Sequence, residues 1–152
     1  MSMDIVFEQL REEDLNEAFM LCIDCFGEYV PFENVRNTYQ LCKNDNNYHF
    51  IVGKYNGKII TYATMVLYYN LFDGTYPIAS LWYVCVHKDY RRMGVASALF
   101  REIDRIADEN SVEIISLTCL KENTVARKFY RSLGFTEDSE VAFVKNIYEQ
   151  WD

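Results

Sequence analysis

Apolar positions near the start of the chain recur at intervals of three and four. Leu15, Ala18, Phe19, Cys22 and Phe26 form one stripe, so the spacing predicts a helix from about Asp14 to Phe26. A short strand, Ile5 to Gln9, precedes it, and Glu12 to Asp14 place negative charge at the helix N-terminus. Gly27 and Pro31 punctuate the join to a second helix, Phe32 to Lys43, which ends in the polar run Lys43 to Asn47. The pattern then becomes that of strands. Tyr48 to Tyr55 and Lys58 to Leu71 flank Asn56-Gly57, a pair that tolerates the positive φ angles of a two-residue hairpin turn. Asp73-Gly74 predicts a second turn into a strand from Ile78 to Val86. Helical spacing returns in Val95, Leu99, Ile103, Ile106 and Ala107, which predicts a helix from Val95 to Glu109. A strand from Glu113 to Leu120, a helix from Thr124 to Leu133 stopped by Gly134, and a closing strand from Val141 to Ile147 complete the order. No linker or repeat interrupts it, so one mixed α/β domain over residues 1–152 is expected.

Composition narrows the class. The chain has 152 residues, half of them apolar, with 6 Gly and 2 Pro, enough to bury a core without disulfides. Its 23 acidic and 15 basic side chains give a net charge of -8, which disfavours nucleic acid and anionic membranes and favours cationic or neutral small partners. The richest apolar stretch, Ile59 to Phe72, is interrupted by Thr61, Thr64 and Asn70, so no membrane span is expected. Asp4 and Glu8 stand where a secretory leader would be basic and then apolar. Five cysteines, Cys22, Cys25, Cys42, Cys85 and Cys119, are an odd number without paired zinc spacing, which fits a reduced, cytoplasmic protein and no metal site. Cys22 and Cys25 form a C-x-x-C, yet they continue the apolar stripe of their helix and read as core thiols rather than a redox pair.

Between the Ile78 to Val86 strand and the following helix lies the run Val86-His87-Lys88-Asp89-Tyr90-Arg91-Arg92-Met93-Gly94-Val95-Ala96. A turn with Gly and Ala at its tightest points, opening a helix, lets successive N–H groups converge on an anion such as phosphate. Arg91 and Arg92 would add mobile charge; alternatively they are solvated turn residues and Gly94 is an ordinary helix entry. No G-x-G-x-x-G is present, and no Lys-Ser or Lys-Thr follows the glycine, which disfavours a Rossmann dehydrogenase and a P-loop hydrolase.

The stretch Arg91-Arg92-Met93-Gly94-Val95-Ala96 resembles the Q/R-x-x-G-x-G/A signature of the GNAT acetyltransferase superfamily. The segment from Asn123 to Phe135, with Ala126, Phe129, Tyr130 and Gly134, is similar to that family's N-x-x-A-x-x-F-Y-x-x-x-G-F. The resemblance implies a mixed, mostly antiparallel sheet of about six to seven strands flanked by about four helices, and acetyl-CoA as cofactor. It places the pyrophosphate on the amides of Arg92, Met93, Gly94, Val95, Ala96 and Ser97, with Arg91 beside them. It places the pantetheine arm along the strand edge at Val84, Cys85 and Val86, and against Asn123, which can also cap its helix.

Aminolysis of a thioester needs a neutral amine, a polarised carbonyl and a protonated leaving thiolate. In the resemblance Tyr130 is the acid for the thiolate, and a backbone N–H near Cys85 polarises the carbonyl. Many family members carry a strand Glu where this chain has Trp82, and no carboxylate occurs between Asp73 and Asp89. Tyr83, Glu28 and His49 are the remaining candidates for the proton acceptor, and Tyr83 is placed in the catalytic set with Tyr130. The acceptor walls are expected from Glu28, Tyr29, Tyr69, Phe72 and Trp82. Those aromatics and acids suit a small-molecule amine, while the hairpin aromatics also fit a homodimer interface. The function expected is N-acetylation of a small primary amine by direct attack, with a peptide acetyltransferase or a non-catalytic acyl-CoA sensor as the alternatives.

Overall fold

The computed structural model describes residues 3–72 and 75–148. The chain divides into two compact units, Met1–Leu117 and Thr118–Asp152. The first contains β1 (Val6–Gln9), α1 (Leu15–Phe26), α2 (Phe32–Cys42), β2 (Tyr48–Tyr55), β3 (Lys58–Tyr68), β4 (Ile78–Val86), α3 (Val95–Glu109) and β5 (Ile114–Ser116). The second contains α4 (Thr124–Ser132).

Local chemistry sets most of the boundaries. Gly27, at φ 65°, ends α1 in the left-handed region and returns its N–H to Ile23 O at 2.8 Å. Asn56 at φ 51° and Gly57 at φ 79° make the two-residue turn between β2 and β3. The sheet runs β1-β2-β3-β4-β5, antiparallel except for the last pair, β4 with β5. Alternation along β2 gives each face its own core. Phe50 and Val52 join Leu15, Ala18 and Leu21 of α1 and Tyr62 of β3, whereas His49 and Ile51 line a second hollow with Glu102 and Ile106 of α3. Helix α3 buries Val95, Leu99, Phe100, Ile103, Ile106 and Ala107, each of the large ones worth about 1.5–3 kcal/mol of transfer free energy.

Three expected strand segments come out differently. Strand β3 stops at Tyr68, where its ladder with Ile78 of β4 ends. Strand β5 has only three residues, because only Ile78–Ser80 of β4 pair with it. Residues 141–147 form no strand, and Val141, Phe143, Val144 and Ile147 are exposed; an alternating pattern makes a strand only where a partner supplies the ladder. Among the described residues the sheet therefore has five strands, fewer than the six or seven expected. The Asp73-Gly74 turn lies outside the described residues. No helix among the described residues is long and apolar enough to cross a membrane.

Candidate active site

The geometry of the site starts from an irregularity in β4. In the β3–β4 ladder Tyr62 faces Cys85 and Thr64 faces Trp82, so Tyr83 and Val84 together stand opposite Ala63. Tyr83 is the bulged residue, with φ 55°, a left-handed backbone that costs an aromatic residue about 1–2 kcal/mol. The bulge brings the neighbouring side chains of Trp82 and Tyr83 into the same cavity, where regular alternation would send them to opposite faces. The parallel ladder with β5 ends at Ser80 and Ser116, so β4 continues past its neighbour from Leu81 to Val86.

At the end of β4 the chain turns through His87, whose Nδ1 accepts the Asp89 N–H at 3.1 Å. Arg92 at φ 64° and Gly94 at φ 80° are both left-handed, and Gly94 is the N-cap of α3. Such turns curl successive N–H groups into an anion-binding hollow. The N–H groups of Val95, Ala96 and Ser97 precede the first intrahelical bond, Ala98 N–H to Gly94 O at 3.0 Å, so they project from the helix end with its positive dipole. A Cβ built on Gly94 would meet nothing within 4 Å. The approach to the hollow is open. The residues present thus fit a pyrophosphate. Arg92 and Met93 are exposed, but Arg91 is not the mobile charge expected of it. Its Nε–H donates to Val86 O at 3.2 Å and its Nη2 reaches Cys25 Sγ at 3.9 Å, tying the turn back to β4 and α1.

That tether exposes a cluster the sequence reading missed. Cys22 and Cys25 on α1 act on the buried Cys85 of β4, and the Cys25 thiol donates to Val86 O at 3.5 Å. Neighbouring Cys85, helped by Arg91 and opposed by burial, lowers the Cys25 pKa to about 6. Cys85 is pushed the other way by Cys22, Cys25 and burial. Cys25 is thus the more readily ionised of the two thiols, and ionisation would give up its hydrogen bond to Val86 O. The C-x-x-C continued an apolar stripe, and nothing local signalled that Arg91, 66 positions on from Cys25, would arrive beside it.

Between α1, α2 and the sheet lies a cavity of about 450 Å³. Leu10, Leu15, Ala18, Phe50 and Tyr62 form its buried floor, and Phe26, Glu28, Val30, Trp82 and Tyr83 its exposed rim. Tyr83 Oη donates to Glu28 Oε2 at 3.2 Å, and its ring meets Phe26 edge-on at 5.1 Å between centroids. Burial, then the hydrogen bond to Glu28 and its charge, raise the Tyr83 pKa above its ordinary 10. The phenol therefore keeps its proton at neutral pH and donates it in the hydrogen bond to the Glu28 carboxylate. Tyr29, Tyr69 and Phe72, expected as acceptor walls, do not line the cavity; Phe72 is 92% exposed. Neither does His49, which faces α3 with its Nε2 buried and unpaired, and whose pKa burial lowers.

In the second unit Asn123 caps α4, its Oδ1 accepting the Ala126 N–H at 3.1 Å. Tyr130 is half-buried, with ring contacts to Phe129 at 5.8 Å and Phe135 at 5.9 Å. Burial first, and the charge of Cys119 second, raise its pKa. A phenol so held is protonated at neutral pH and is chemically able to act as an acid.

The family model described as "Acetyltransferase (GNAT) family" matches residues 10–135. The chain belongs to that family. It is an acetyltransferase, and acetyl-CoA is its cofactor. Three solved structures illustrate the shared fold of this GNAT chain. A transcriptional regulator from Bacillus halodurans C-125 superimposes with a TM-score of 0.83 at 22% identity, covering 93% of this chain and 99% of its own. An aminoglycoside N-acetyltransferase in complex with CoA gives 0.81 at 18% identity, with 97% of each chain covered. An aminoglycoside 6'-N-acetyltransferase from Acinetobacter haemolyticus gives 0.76 at 18% identity, covering 93% of this chain and 97% of its own. A comparison with curated protein sequences finds no match.

Proposed function

We propose that this GNAT enzyme transfers the acetyl group of acetyl-CoA to the primary amine of a small molecule by direct attack in a ternary complex. The observation that carries the proposal is the β4 bulge at Tyr83. One strand thereby walls an acceptor cavity with Trp82 and Tyr83 and leads, through Val84, Cys85 and Val86, into the anion hollow of Arg92 to Ser97. When bound, the coenzyme would supply an acetyl thioester; the amides of the hollow would hold its pyrophosphate and the β4 edge its pantetheine arm.

Glu28, positioned by the Tyr83 hydroxyl at 3.2 Å, pairs with the incoming ammonium and takes its proton. An alkylamine with pKa near about 10 is otherwise mostly charged at neutral pH and unable to attack. Tyr130 is proposed as the acid for the departing thiolate, on the strength of the motif around it. A covalent cysteine route is disfavoured. Cys85 holds its proton, and Cys25 is engaged by Val86 and Arg91 and does not line the cavity. The buried floor of the cavity favours a small acceptor over a peptide. Five free cysteines suit a reducing cytoplasm, and the exposed Tyr69, Phe72 and Tyr76 suit a homodimer contact.

The test is free-thiol release from acetyl-CoA against a panel of amines and short peptides, with CoA binding followed by calorimetry. Acceptor-dependent release supports the reading. CoA binding with no release from any acceptor would favour the acyl-CoA sensor, and failure to bind CoA would sink the assignment of the hollow and the β4 edge.

A further inference from the structure

Of the hydroxyl groups that line the acceptor cavity, those of Tyr62, Thr64, Thr38, Tyr39 and Tyr83 bond the protein. Tyr62 Oη and Thr64 Oγ1 bond each other at 2.5 Å, Thr38 Oγ1 donates to Asn34 O at 3.0 Å, and Tyr39 Oη donates to Leu10 O at 3.4 Å. Glu28 is the charged residue among the described residues that line the cavity, and it stands at the rim. The floor below it is hydrocarbon and aromatic ring. A ligand placed here meets one anionic contact at the entrance and an apolar interior.

Resting on the acetyl-transfer reading above, we infer that the acceptor is a primary amine carried on an aromatic body, an arylalkylamine. Its ammonium sits at Glu28 and its ring is inserted toward Ala18 and Phe50. Three physical points support this. The cavity volume of about 450 Å³ falls in the range of about 300–1,000 Å³ that takes a small organic ligand. A carboxylate at the mouth matches a terminal cation and leaves the uncharged end of the ligand for the interior. A polyhydroxylated amine would bury hydroxyls against a mostly apolar lining, and each hydroxyl left without a partner lowers affinity by roughly 5- to 100-fold. Aminosugars and aminoglycosides are therefore disfavoured, and so is a polyamine, with a second cation to bury.

The experiment compares kcat/KM for phenethylamine and tryptamine with that for glucosamine, neamine and spermidine at saturating acetyl-CoA, using the full chain. Tryptophan fluorescence titrations of each amine into the CoA-loaded protein run beside it. The expected result is a KM at least 10-fold lower for the arylalkylamines. Ala18→Phe, which fills the floor, should raise that KM 10-fold or more while CoA affinity is unchanged. Should that variant fail to fold, Glu28→Gln gives a second readout: amine binding weakens about 10-fold, whereas inhibition by neutral 2-phenylethanol is retained. Equal or better use of glucosamine, neamine or spermidine overturns the inference and leaves the acetyl-transfer reading standing. So does failure of both arylalkylamines to bind the CoA-loaded protein. Arylalkylamine binding without thiol release from any amine of the panel has the opposite meaning, preserving the cavity assignment while overturning acetyl transfer.

Discussion

Gly94 allows backbone strain and coenzyme binding to be separated by one methyl group. Its φ is 80°, and an added Cβ would meet nothing within 4 Å. Gly57, in the β2–β3 turn, has the same two properties, with φ 79° and nothing within 4 Å of an added Cβ. Gly94→Ala and Gly57→Ala should therefore lose similar stability, about 1–2 kcal/mol each for placing an L-residue in the left-handed region. For a chain of this size that is a fall in Tm of about 2–8 °C. Coenzyme affinity should part them. At Gly94 the methyl stands among the amides that would receive the pyrophosphate, and displacing one charge-assisted hydrogen bond costs about 1.5–3 kcal/mol. That corresponds to roughly 10- to 100-fold in Kd. At Gly57 the flanking Tyr55 and Lys58 reach Tyr90, outside Arg92 to Ser97, and Kd should change far less than at Gly94. Thermal denaturation of both variants with CoA titration by calorimetry decides the matter. Equal Tm losses with an unaltered CoA affinity in Gly94→Ala would refute the placement of the pyrophosphate in this hollow.

Other consequences can be checked separately. Tyr130→Phe should keep CoA binding and lose about 10- to 100-fold in kcat if the phenol is the acid; steady-state kinetics showing full turnover would remove Tyr130 from the mechanism. The rate of iodoacetamide labelling at Cys25, followed by peptide mass spectrometry, should rise with pH through about 6, because a lowered pKa makes the thiolate available at lower pH than the ordinary value of about 8.5. Arg91→Ala should move that midpoint upward, and a wild-type midpoint near 8.5 contradicts the cluster. Gly53→Ala would place a Cβ 2.5 Å from Thr61 Cγ2 and 2.7 Å from Phe7 Cε1. Crowding fully buried Thr61 should cost about 1–3 kcal/mol, read as a lower urea midpoint, and an unchanged midpoint would show that β1 and β3 yield there at no cost.

Where structure depends on neighbours in the chain, the sequence was sufficient. The apolar period of α3 and the turn signals beside β2 and β4 predict the observed limits, Val95–Glu109, Tyr48–Tyr55 and Ile78–Val86, because burial of a helix face selects its period and turn residues punctuate the strands. Asn56-Gly57 is legible because positive φ has a residue preference. The two GNAT-like segments were legible for the same reason, each being a local turn or cap joined to a helix. Tertiary structure alone decided the rest. Tyr83 is a poor candidate for positive φ, and its bulge exists because β3 holds Tyr62 against Cys85 and Thr64 against Trp82, leaving β4 one residue too many. Cys25, Cys85 and Arg91 meet only when α1 lies on β4, across separations that no local pattern encodes. The alternating run at 141–147 shows the converse: a strand's hydrogen bonds belong to its partner as much as to itself, so periodicity without a pairing edge does not make one.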